Sequence, residues 1–425
     1  MSGPDLIEDP RRHTGAAGPS PMRRPPQLRA GADEHRHASW LELFFDLVFV
    51  AVVFQVGEAL AEHHDAAGFL EFIGVFTIVA WSWMCFTYFG NRFDTDDVPQ
   101  RVLMSLAMLA VAGLGVAVGD ASDSWSERFA IAQVAVHVVL LALYARARLH
   151  VPAARSSIDR YLVGFGLGGV VWLASAMVDT PVRYVLWGAA LAIEVATPLL
   201  SWGVLARLPV DREHLRERFG LFTIIVLGEA VLAVVIGTQD ARWAAPAIST
   251  TVAGFLGVLA LWWVYFDEQS AASLRGGRWA FVVAYGHLPL WLGATAYGIG
   301  VKLAIEHAEG LAEVPGIRWA LAGGAALLLL AIGAFHIASA NREPALLSIS
   351  RGLCIVALVA LAALGEGLKT PTLTLLVVFV AGASLAIEAV SVREAGGHVW
   401  ALAAAAVQPP EPPFRPPAPS AIPPD

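Results

Sequence analysis

Between Leu41 and Val392 the chain is a succession of apolar stretches of about 20 residues, separated by short polar breaks. A helix needs about 20 mostly apolar residues to cross roughly 30 Å of hydrocarbon, because each residue rises about 1.5 Å. The stretches are continuous and show no strict alternation, so they read as helices and not as barrel strands. About twelve of them begin near Leu41, Phe69, Val102, Phe129, Tyr161, Val182, Phe219, Ala245, Trp279, Trp319, Gly352 and Thr372. Pro289 and the Gly323-Gly324 pair inside them are tolerated where neighbouring helices shield the backbone. Charge supports the reading: only 15% of the 425 residues are charged and 57% are hydrophobic, against about 25% charged in ordinary soluble domains. Two or three soluble domains, which the length alone would suggest, could not be covered by so few charges. Two cysteines, Cys85 and Cys354, both in apolar runs, exclude a disulfide framework. With 36 acidic against 28 basic residues and no basic cluster on a soluble domain, nucleic acid is excluded as a partner. The chain reads as an all-α polytopic membrane protein whose first partner is the lipid bilayer.

Basic residues give the orientation, since cytoplasmic flanks of membrane helices are enriched in Lys and Arg. With an internal N-terminus and twelve crossings, 22 of the 28 basic residues fall inside, leaving Arg128, Arg183, Arg242, Lys302, Arg318 and Lys369 outside. A wrong crossing count would scramble this pattern, so both termini are expected in the cytoplasm. Residues 1–38, rich in Pro, Gly, Arg and His, read as a disordered cytoplasmic tail whose arginines can lie against anionic lipid. The Pro-rich residues 396–425 read as an extended tail.

The span region repeats itself. Asp46 and Gly57-Glu58-Ala59 match Glu217 and Gly228-Glu229-Ala230 at an offset of 171. Tyr88-Phe89 and Arg101 match Tyr265-Phe266 and Arg278 at 177, and Leu191 to Glu194 match Leu385 to Glu388 at 194. The matches keep their order while the offsets grow, as loop insertions would cause. Two six-helix halves, residues 39–206 and 207–395, are therefore expected as parallel repeats about an axis along the membrane normal.

Ionisable residues inside spans are costly and mark functional sites by default. Glu42 and Asp46 are spaced i, i+4 and share a helix face, where they could hold a proton or a cation; equally they could cap and anchor the span, against Arg101. Glu58 lies nearer the outer end, about 120° around the same helix. Glu217 and Arg218 read as interfacial, whereas Glu229, after ten uncharged residues, is well inside its span, as are Glu194 and Glu388. Few intramembrane bases are in view to neutralise these acids, which suggests protonation or a bound cation; helix-to-helix hydrogen bonding by protonated carboxyls is the alternative.

A second tier of acids, Asp94, Asp96 and Asp97 with Asp267 and Glu268, sits at the inner ends of spans two and eight. Such runs can coordinate a cation or simply pair with nearby arginines, and their spacing fits no EF-hand loop. His137, His287 and His336 lie in apolar stretches without metal-ligand spacing and read as packing residues, although His287-Leu288-Pro289 could be a proton-handling kink. The tryptophans read mainly as an interfacial belt, with Trp81/Trp83 and Trp262-Trp263 as alternative pocket walls. No phosphate-cradling loop, metalloprotease helix or nucleophile elbow is present, so neither ATP hydrolysis, an enzymatic activity, a metal nor a cofactor is expected.

Ser39 to Val50 (SWLELFFDLVFV), the Arg92 to Asp97 run, Glu217 to Phe222 and Leu227-Gly228-Glu229 together resemble the bacterial low temperature requirement A family, over roughly Trp40 to Val392. In that family a histidine often follows the Glu-Arg pair and a serine the Gly-Glu pair. Phe219 and Ala230 stand there in this chain, which argues against a proton role at 219. The resemblance implies a multi-spanning inner-membrane protein linked to growth in the cold, and no agreed reaction or substrate. Phe44-Phe45-Asp46 is also similar, more faintly, to the Phe-Ser-Asp motif of six-helix-repeat potassium channels. The expectation is a proton- or cation-coupled secondary transporter for a small solute or ion. A channel, or a scaffold or enzyme working on envelope lipids, is the alternative, and association into homo-oligomers stays open.

Overall fold

The computed structural model describes residues 25–28, 38–63, 65–119, 121, 126–206, 208–241, 245–271, 279–308, 315–338 and 345–394. The first half holds helices α1 (Trp40–Glu62), α2 (Ala66–Arg92), α3 (Val98–Val116), α4 (Ser126–His150), α5 (Arg155–Ser175) and α6 (Val182–Leu200). The second half holds α7 (Arg212–Asp240), α8 (Ala245–Ala271), α9 (Trp279–Glu306), α10 (Gly324–Ala338), α11 (Ala345–Leu364) and α12 (Thr370–Glu394). A helical turn at Pro315–Arg318 and a π-helical stretch at Trp319–Gly323 run into α10. Ten of the helices in the described residues are long and apolar enough to cross a membrane. α5 and α12 are not among those ten; α12 qualifies only as a shorter apolar helix, Thr370–Ser384.

Polar side chains start the helices where the apolar runs begin. Ser39 caps α1 in a reciprocal capping box with Glu42, and Asp65, Asp97 and Asp211 accept from the backbone at the starts of α2, α3 and α7. Each side-chain oxygen satisfies an N–H that the first turn leaves without a helical acceptor. The break between the last two helices, the least marked in the sequence, contains Gly367 at φ +83°, a backbone conformation open to glycine.

Within each half the helices neighbour one another in the same order: first on second and third, third on fourth, fourth on fifth, fifth on sixth. The halves meet where α1 and α2 pack on α7 and α9. α9 is the hub, buried at every residue from Leu290 to Ile305. α1, α7 and α9 run the same way, from a near end carrying Trp40, Arg212 and Trp279 to a far end carrying Glu62, Asp240 and Glu306.

Within the segment expected to be an unstructured tail, residues 25–28 are described. Gln27–Leu28 (β1) pairs antiparallel with Phe93–Asp94 (β2), in register Gln27 with Asp94 and Leu28 with Phe93, and Pro26 is buried. This short ribbon closes over the near end. The expected C-terminal tail lies outside the described residues.

Candidate functional site

Two clusters of buried charge lie along the seam between the halves. At the near end, the acids Glu42 and Asp46 on α1 face two bases at the same i, i+4 spacing on α7, His214 and Arg218. The helices are parallel, so acid meets base twice in register. Arg218 Nη2 lies 2.7 Å from Asp46 Oδ1, Arg218 Nη1 lies 3.6 Å from Glu42 Oε1, and His214 Nε2 lies 3.3 Å from Glu42 Oε1. Asp46 and Arg218 are each 2% exposed. Trp83 Nε1 on α2 also donates to Asp46 Oδ1, at 2.7 Å, and the Arg218 guanidinium lies over the Trp83 ring. Asn91 Nδ2 donates to the Asp211 carbonyl and lies 3.3 Å from His214 Nδ1. An amide nitrogen only donates, so His214 Nδ1 accepts and its ring proton sits on Nε2, towards Glu42. Asp46 Oδ2 and Arg218 Nε have no hydrogen-bond partner. A cleft of ≈ 40 Å³, lined by Ser39, Glu42, Phe93, Thr95, Gln100 and Arg218 among others, leads to this cluster from the near end.

Glu42 and Asp46 thus face bases of α7 and not Arg101, which pairs with Asp96 at 2.8 Å. Arg218 is buried within the protein, where it pairs with both acids of α1. Glu217, beside it, is half-buried and accepts from the Ala38 N–H at 3.2 Å.

The far cluster brings one ionisable side chain from each of three helices. Lys302 of α9 donates to both oxygens of Glu58 of α1, at 2.7 and 2.8 Å. Glu229 of α7 is 3% exposed, and neither of its carboxylate oxygens has a hydrogen-bond partner. It lies within electrostatic range of Glu58 and Lys302. Its Oε1 rests against Gly57, where an added Cβ would lie 3.0 Å away, so the missing side chain at 57 is what makes room for it. Gly298 allows α9 to touch α7 backbone to backbone: a Cβ there would sit 2.5 Å from Ala230 Cα. The twelve residues from Asp46 to Glu58 set the clusters about 18 Å apart along α1. Between them Phe49, Trp83, Phe222 and Trp291 pack ring against ring.

Glu194 lies apart from the seam, inside the first half. Its Oε1 takes Trp172 Nε1 at 2.9 Å and lies 2.8 Å from His137 Nε2, and its Oε2 takes Trp81 Nε1 at 3.1 Å. His137 Nδ1 faces the Gln133 carbonyl at 2.9 Å, so His137 is a partner for an acid and not packing alone. The side chains of Glu388, Asp94, Asp267 and Glu268 lie outside the described residues. Asp97 caps α3 and holds Arg146 at 2.6 Å, so the two described acids of the second tier, Asp96 and Asp97, go to arginines. Among the described residues no group of three or more His, Cys, Asp or Glu is gathered as for a metal ion. His287 Nδ1 faces the Val283 carbonyl, Nε2 faces the Tyr265 hydroxyl, and the ring packs on Phe219 and Phe335.

The bases therefore do more than the sequence suggested. Asp46, Glu58 and Glu194 each have one within 2.8 Å, and Glu229 has none at hydrogen-bonding distance. His214, Arg218 and Lys302 were missed as site residues, although the matched i, i+4 spacing of acids and bases on α1 and α7 was there to be read. Trp81, Trp83, Trp172 and Trp291 are buried donors and not a belt, whereas Trp262 and Trp263 are about half exposed on the outside of α8.

Residues 37–387 match the family model described as bacterial low temperature requirement A protein (LtrA). The chain is also 29% identical over 303 residues to an uncharacterized protein of Rhizobium meliloti (strain 1021), an alignment covering 66% of this chain and 72% of that one.

Proposed function

The chain belongs to the bacterial low temperature requirement A family and is a multi-pass membrane protein; from that premise we propose that it is a proton- or cation-coupled secondary transporter. The reading comprises twelve crossings in two parallel six-helix repeats, the near end and both termini in the cytoplasm, and a site on the seam between the halves. The like order of helix neighbours in the two halves supports the duplication. The seam itself is asymmetric: α1 packs on α9, while α7 and α3, the counterparts of that pair, form no comparable contact in the described residues. Asymmetry of this kind is what a transporter caught in one access state would have.

The observation that carries the reading is Glu229. An acid 3% exposed, without a partner for either oxygen, and set between two bundles, is poor architecture for a purely structural protein. It is good architecture for a group that takes up and releases a positive charge as the halves move. The near cleft supplies access to Glu42 and Arg218 from one side, and the aromatic layer separates that side from Glu229. The channel reading draws less support, because Phe45 is packed on Phe49 and Phe86 and Asp46 is tied to Arg218 and Trp83. No enzymatic step enters the reading.

The test is proton movement in proteoliposomes carrying a trapped pH dye, challenged with gradients from a panel of small solutes and of Na⁺ and K⁺. Solute- or cation-dependent proton flux, or solute uptake driven by a cation gradient, lost in Glu229→Gln, is the expected result. Fluxes identical in wild type, Glu229→Gln and protein-free vesicles would sink the proposal.

A further inference from the structure

We propose that the positive charge exchanged at the far cluster is a proton, and that Lys302 changes carboxylate partner when Glu229 loses it, unfastening α1 from α9. This deepens the transport reading and rests on it for its purpose, though not for its geometry.

Charge and donor count lead to the proton. Glu58, Glu229 and Lys302 are one cation short of balance, and all three lie on the seam. A hard metal cation takes about six oxygen ligands. Here two carboxylates are in range, and the ammonium already occupies both oxygens of one of them. Glu229 meets Gly57 and has no acceptor or donor at hydrogen-bonding distance, so a proton on its own oxygen is the one cation that needs no further ligand.

The exchange follows from the same three groups. The proton leaves Glu229 and no other bond is made or broken; Lys302 remains an ammonium and Glu58 a carboxylate throughout. Ionised Glu229 is then a buried carboxylate beside a cation on a flexible four-carbon stem with three rotatable donors. Glu58 has the weaker hold, because its side chain is 30% exposed and water can replace the lysine, whereas Glu229 is sealed from water. Lys302 and Glu229 belong to the second half and Glu58 to the first, so the swap removes a tie between halves and adds one within a half. Other titratable groups face the cluster: Glu62 one turn beyond Glu58 on α1, Glu306 and His307 next to Lys302, Asp240 on α7, and Glu71 on α2. α8 brings no charged side chain between Ala245 and Phe266.

The experiment is a spin-label distance between Glu62→Cys on α1 and His307→Cys beyond α9, in the full chain with Cys85 and Cys354 replaced by alanine. Those two labels also remove two of the neighbouring titratable groups. The distance should widen by about 2 Å or more as pH rises, the scale of ordinary helix shifts. It should stay short at every pH in Glu229→Gln, stay long in Glu58→Gln, and be indifferent to replacing choline by Na⁺ at fixed pH. A distance that ignores pH, a pH response that survives in Glu229→Gln, or a widening driven by Na⁺ would overturn the proposal. Hydrogen exchange of the unlabelled wild type, followed at the far ends of α1 and α9 across the same pH range, guards against a labelled variant that fails to fold; protection there independent of pH would count against the swap. Silent proteoliposomes would defeat the transport reading and leave this measurement standing. An unmoving distance would defeat the swap and leave transport to be carried otherwise.

Discussion

Replacing Arg218 by methionine keeps the length and packing of the side chain and deletes its charge. Asp46, 2% exposed, then loses a cation at 2.7 Å, and Glu42 loses one at 3.6 Å. At an effective dielectric of about 20, Coulomb's law gives gross attractions of about 6 and about 5 kcal/mol for those distances. Much of that is offset by the desolvation both partners undergo on folding, and stranding one member of a buried pair costs about 3–5 kcal/mol net. Arg218→Met should therefore destabilise the bundle by about 3–5 kcal/mol. Asp46→Asn added to it keeps an acceptor for Trp83 and removes the stranded charge, and should recover about half of the loss. The coupling between the two substitutions should be about 2–3 kcal/mol. Reversible unfolding in mixed detergent micelles, read by tryptophan fluorescence, gives all four corners of the cycle. A single-variant loss below about 1 kcal/mol, or a coupling below about 0.5 kcal/mol, would refute the argument that this pair holds the halves together.

Three further outcomes are expected. Glu194→Leu should cost more than Trp81→Phe or Trp172→Phe in the same assay, because it strands two indole N–H groups and His137 where each of the others removes one donor worth about 1.5–3 kcal/mol; equal losses would show that the three donors do not converge on Glu194. Gly298→Val should destabilise by about 1–3 kcal/mol or more, since a Cβ at 298 already meets Ala230 Cα at 2.5 Å; a neutral result in thermal unfolding would mean that α7 and α9 are not in backbone contact. Cysteines placed at Asp65 and at Lys369 should react with an impermeant maleimide added outside intact cells, and one at Arg155 should react only after permeabilisation; the reverse pattern would invert the proposed topology.

Helices were easy to read because a bilayer imposes length and apolarity on each one separately. Val182, Ala245 and Trp279 are the starts of apolar runs and also the starts of α6, α8 and α9. Where polar residues precede the apolar run the helix begins earlier, at Arg212 and not Phe219, because Asp211 caps it there. Acids buried in the spans were also legible, since a carboxylate in an apolar run announces itself. Their partners were not. Asp46 meets a base 172 positions away, and Glu58 one 244 positions away; periodicity tells which face of a helix a residue occupies but not which helix that face meets. Arg218 looked interfacial because it stands beside Glu217 at the start of a run, and only the packing of α7 on α1 and α2 buries it. The pairing of Leu28 with Phe93 involves two residues on each side, too short to leave a pattern in a Pro-rich segment.

The burial of α9 bears on how such a protein can be made. Sixteen consecutive residues, Leu290 to Ile305, including a lysine, are buried in the finished bundle. The helix is apolar enough to enter lipid, but its lysine is costly there until it finds a partner. Its surroundings come from α1, α2, α7 and α8, already synthesised, and from α10 and α12, still to come. Lys302 meets its carboxylate on a helix made 244 residues earlier, so the partner it needs is already in the chain when α9 is synthesised.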